Sequence, residues 1–73
     1  MTQITTLSEV SFQDNVIRIS KSQAVETAAN RFFHELFNRD KDATVSRLFE
    51  EDGETVYEAS QEGANEKLYI VKK

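Results

Sequence analysis

Seventy-three residues make one domain, and a chain this short buries only about 60% of the surface its unfolded form exposes. The chain has no cysteine and one histidine, which excludes disulfides, thiolate metal sites and a nitrogen-rich metal site built within one copy. Its net charge of −4 disfavours direct binding to nucleic acid or to an anionic membrane surface.

No proline, two glycines, five phenylalanines and two tyrosines point to a folded domain and not to a disordered one. The opening residues MTQITTLSEV carry no basic segment followed by an apolar stretch, so no signal peptide is expected. No apolar run approaches the roughly 20 residues that span a bilayer. The absence of cysteine fits a reducing, cytoplasmic location. The charge is uneven. Between Phe49 and Glu66 lie seven acidic residues and no basic one, while the rest of the chain sums to +3.

Residues 1–8 precede the first patterned segment and are expected to be poorly ordered. From Val10 to Ile19 the alternation reads as a hairpin about a two-residue Asp14-Asn15 turn, residue types that tolerate left-handed backbone. That register opposes Phe12 to Ile17 and Val10 to Ile19, placing all four on one face. Ser20 with Gln23 fits a capping box. An amphipathic helix over 23–38 follows, with Val25, Ala28, Ala29, Phe32, Phe33, Leu36 and Phe37 at three- and four-residue steps. Arg31 and Glu35 are spaced to pair on its polar side, and Asn38 is suited to stop it.

After a polar connection, 44–60 surrounds Asp52-Gly53, a strong hairpin signal. The implied register faces Phe49 to Val56, Leu48 to Tyr57 and Arg47 to Glu58. A competing reading makes 43–51 a short helix capped by Asp42 and ended at Gly53. β-branched Thr44 and Val45, and the anionic Glu50-Glu51-Asp52 at what would be a negative helix end, favour the hairpin. A loop over 61–66 and a strand over 67–72 complete the chain. The expected fold is one α+β domain spanning 1–73, in the order ββαβββ, with the helix packed on an antiparallel sheet.

Catalytic and cofactor signals are weak. His34 is expected to point into water, opposite the apolar face of its helix, where no second acid–base group is assured. The acidic runs lack the alternate-ligand spacing of a calcium loop, and the two glycines form no phosphate-binding pattern. No enzyme activity, cofactor or metal is therefore expected. Two features stand above the rest. The acidic segment, chiefly Glu50, Glu51, Asp52, Glu54 and Glu58, is suited either to solubility or to docking on a basic protein surface, including one built for nucleic acid. Phe33 and Phe37 flank a wide apolar helix face and are suited to anchor an interface, with Tyr57 and Tyr69 joining them if the second sheet face is bare.

The expected function is a noncatalytic protein-binding module. It would be a small acidic regulator or inhibitor of bacterial or phage type, docking on a larger partner with a basic surface. The alternative is a structural homo-oligomer, such as a homodimer, joined through exposed aromatics and the spare sheet face.

Overall fold

A computed structural model describes residues 5–73. Its elements in chain order are α1 (Leu7–Val10), β1 (Val16–Ile19), α2 (Val25–Phe37), β2 (Thr44–Glu51), β3 (Glu54–Ser60) and β4 (Lys67–Lys72). The four strands form one sheet in the order β1-β4-β3-β2. β2 and β3 form an antiparallel hairpin and β4 lies antiparallel to β3, but β1 runs parallel to β4. The sheet is mixed, not antiparallel, and the element order is αβαβββ. Part of the expectation for residues 1–8 falls on residues 1–4, which lie outside the described residues; Leu7 and Ser8 belong to α1.

The hairpin expected over 10–19 does not form, and local capping explains why. Thr6 and Glu9 make a capping box: the Thr6 hydroxyl oxygen accepts from the Glu9 amide at 3.2 Å, and the Glu9 carboxylate accepts from the Thr6 hydroxyl and the Thr5 amide. That turns the chain into a helix through Val10. Asn15, expected in a turn, instead fastens β1 to β4. Its carbonyl accepts from the Tyr69 amide at 2.9 Å and its side chain donates to the Lys67 carbonyl. Phe12, expected to share a face with Val10 and Ile19, is 84% exposed while those two are buried.

The helix α2 begins at Val25, two residues later than expected. Ser20 and Gln23 do pair, the Ser20 amide donating to the Gln23 side-chain oxygen at 2.8 Å, but they form a turn that precedes the helix. Its N-cap is Ala24, which offers no side-chain acceptor. Asn38 ends the helix in the left-handed region (φ 53°, ψ 45°), as its side chain permits.

Both faces of the sheet are covered. On one, α2 lays Ala29 and Phe33 against Ile19, Ala59, Leu68 and Ile70, all buried. Burying a side chain the size of Phe33 is worth roughly 3 kcal/mol. Phe32, Phe33 and Phe37 pack as a triad with ring centroids 5.6–5.9 Å apart, two of the pairs edge-on. On the other face Val56, Tyr69 and Val71 are closed over by Val10 of α1, with Leu7, Val16 and Phe49 at the margin. The single turn of α1 is thus the lid of the second layer.

A β-bulge in β2 makes the two faces agree. Arg47 pairs with Tyr57 and Phe49 with Val56, so Leu48 is an extra residue and the expected Leu48–Tyr57 and Arg47–Glu58 pairs do not form. Glu58 pairs with Ser46 instead. Without the bulge, alternation would put Arg47 and Phe49 on one face. With it, Phe49 reaches the α1 side while Val45 stays on the α2 side.

Candidate functional site

The acidic residues divide by what holds them. Asp52 and Gly53 both have positive φ (53° and 79°), the signature of a type I′ turn, so the hairpin reverses at its tip as the sequence implies. Glu50 and Asp52 are exposed there, the Glu50 carboxylate accepting from the Thr55 hydroxyl across the hairpin at 3.4 Å. Three neighbours are tied to elements outside the hairpin. The Glu51 carboxylate accepts from the Leu7 amide at 3.2 Å, Glu54 lies 3.4 Å from the Arg18 guanidinium, and Glu58 lies 3.9 Å from the Lys67 ammonium. Glu58 is also far from the tip, in mid-strand beside Tyr69.

Tyr69 is 9% exposed, and its phenol is held above the ordinary tyrosine range. Burial is the larger cause; the Glu58 carboxylate beside it adds to the cost of forming a phenolate. The tyrosine therefore belongs to the core under α1 and not to a bare sheet face.

The aromatic pair also separates. Phe33 has no exposed surface, so its expected place at an interface is corrected: it is the centre of the α2 core. The helix settles with Ala29 and Phe33 facing the sheet, so its exposed apolar residue is Leu36, at 63%. Phe37 is half-buried in the triad.

His34, in the last turn of α2, meets the Asp40 carboxylate at 2.7 Å through Nδ1. Both side chains are exposed, 59% and 87%, so the pair stands in water at a helix end where a cation is favourable. Among the described residues no group of three or more His, Cys, Asp or Glu side chains is gathered to hold a metal ion. No helix among them is long and apolar enough to cross a membrane.

Two features have no counterpart in the sequence reading. Gln61, in the loop expected over 61–66, is buried; it accepts from Arg39 Nε at 3.1 Å and donates to the Lys41 carbonyl, tying the α2–β2 connection to the end of β3. A surface groove of about 340 Å³ runs between β1 and α2, floored by Ile17, Ile19, Ala28 and Phe32. Its rim carries Arg31 and Glu35, paired at 2.9 Å. The groove exists because β1 is an outer strand, which only the parallel pairing with β4 could reveal.

No protein-family model matches the chain, and neither a curated protein nor a solved structure shows a significant likeness to it.

Proposed function

We propose that this chain is a noncatalytic protein-binding module that docks on a larger protein through the tip of the β2–β3 hairpin and thereby regulates or inhibits it. The observation that carries the reading is the presentation of Glu50 and Asp52: two exposed carboxylates at the hairpin tip, Glu50 held by the Thr55 hydroxyl and Glu51 between them anchored to α1. Pre-ordered charges steer encounter with a basic surface and are not first immobilised at the moment of binding. Glu54 and Glu58 face Arg18 and Lys67, so the proposal rests on a tip and not on a long phosphate-like row.

The test is affinity capture from the source cell's lysate at low and high salt, with nuclease treatment, using wild type beside a Glu50→Lys/Asp52→Lys double variant. The reading expects a protein retained by wild type at low salt, shed at high salt and lost from the variant. Equal retention by both baits would contradict it.

A further inference from the structure

We propose that the hollow between α2 and the α2–β2 connection binds a phosphate dianion, free or carried as a monoester on a small molecule. The inference is independent of the acidic tip, since it involves neither Glu50 nor Asp52.

The helix and the turn that follows it build the hollow together. Asn30, Arg31 and His34 stand at helical spacing on one side of α2. The left-handed turn at Asn38 then reverses the chain, and three contacts hold the reversal. The Arg39 amide donates to the Phe33 carbonyl at 3.3 Å, His34 meets Asp40 at 2.7 Å, and the Ala43 amide donates to the Asn30 side-chain oxygen at 2.7 Å. Arg39 and Lys41 are thereby set beside the helix, and with its side chains they line a surface hollow of about 380 Å³.

Most of the polar groups there are donors. The Asn30 oxygen is taken by Ala43, so its NH2 group is what the side chain has left to offer. Arg39 spends Nε on Gln61 and Nη2 on the Glu62 carbonyl, which fixes the guanidinium plane and leaves Nη1 unbonded among the described residues. Arg31 spends only Nε, on Glu35, and the Lys41 ammonium has no ion pair among the described residues. Two guanidinium groups, an ammonium and an amide from separate positions suit an ion with three terminal oxygens better than a planar carboxylate.

Charge agrees with this. Three permanent cations (Arg31, Arg39 and Lys41) stand against two carboxylates, and each carboxylate is already engaged: Asp40 by His34, and Glu35 by Arg31 at 2.9 Å. Carbonyls in the last turn of a helix repel anions, but those of Phe33 and His34 are occupied by the Arg39 and Asn38 amides. The β1–α2 groove, by contrast, balances one cation with one carboxylate. Since the whole chain carries −4, the positive excess at the hollow is local. A small dianion can use it, whereas a long polyanion would also meet the acidic remainder.

The test is an NMR titration of the amides of the full chain at about pH 8, where phosphate is dianionic. Sodium phosphate is one arm and glycerol 3-phosphate the other, with ionic strength held constant by chloride. Saturable shifts centred on the Asn30, Arg39 and Lys41 amides are expected, and the tighter arm identifies the free ion or the monoester as the ligand. Arg31→Gln/Lys41→Gln should weaken binding by about tenfold or more, the usual effect of losing charged hydrogen-bond partners. Lys21→Gln/Lys73→Gln has the same net charge but leaves the hollow intact, so it should bind as wild type does. Circular dichroism checks that both variants keep the fold. Shifts that fail to saturate in both arms, shifts that chloride alone reproduces, or equal weakening in the two double variants would overturn the proposal.

Discussion

The main-chain amide of Leu7 donates to the side chain of Glu51 at 3.2 Å, across 44 positions of sequence. An unpaired donor at the start of α1 is thereby satisfied by a carboxylate at the end of β2, a favourable match of helix end and charge. The bond holds the lid on the second sheet face and fixes the base of the acidic tip. Glu51 is thus a structural residue between two presented ones.

Charge reversal should therefore separate these neighbours. Glu51→Lys is expected to lower stability by about 1.5 kcal/mol, the low end of what a hydrogen bond to a charged group is worth. Glu50→Lys and Asp52→Lys should each stay within about 0.5 kcal/mol of wild type, as surface changes do. Urea midpoints at constant slope measure all three.

The lid itself can be tested at Val10, which is 1% exposed. Val10→Ala is expected to cost roughly 2 kcal/mol through lost burial and the void it leaves over Val56 and Val71. Val10→Asp should release α1 altogether and expose that face to a hydrophobic dye. A variant as stable as wild type, with no dye binding, would mean that α1 does not close the layer.

At the hairpin tip, Gly53 has φ of +79° and nothing within 4 Å of where a Cβ would stand. The cost of Gly53→Ala is therefore conformational only, about 1 kcal/mol. Gly53→Asn should recover part of it, because asparagine tolerates that backbone. Thermal melts of the two variants give the comparison.

Tyr69 makes a prediction about pH. Its folded pKa is raised, so the neutral phenol stabilises the fold fully below the unfolded value of about 10. That contribution is lost as pH rises through the folded value. In a Tyr57→Phe background, phenolate absorbance should show Tyr69 titrating above the ordinary range together with alkaline unfolding. Adding Glu58→Gln should bring it only part of the way down, since burial is the larger cause.

What was legible in the sequence was whatever local pattern decides. The α2 periodicity, the Asn38 stop, the Asp52-Gly53 turn and the last strand are each written in a few adjacent residues, and each is found. The parallel β1–β4 pairing was not legible, because strands about 50 residues apart leave no local mark. Alternation from 10 to 19 therefore looked like a hairpin with the nearest partner. The Thr6-x-x-Glu9 box was the available warning: it begins a helix just where that hairpin was expected to start. The bulge at Leu48 was hidden for a similar reason. It is required only because Phe49 and Val45 must serve opposite faces, and the second face has no cover until α1 is placed. For the candidate site, the acidic clustering was visible, but its division between presented and engaged carboxylates depends on Arg18, Lys67 and Leu7 arriving from elsewhere in the chain.

The docking claim is tested most directly by the association rate constant with the captured partner, measured from low to high ionic strength for wild type and Glu50→Lys/Asp52→Lys. A steered encounter predicts a wild-type rate that falls steeply with salt, and a variant that is slower at low salt with a flatter dependence. Equal rates at low salt, with the same salt dependence in both, would contradict a role for the acidic tip.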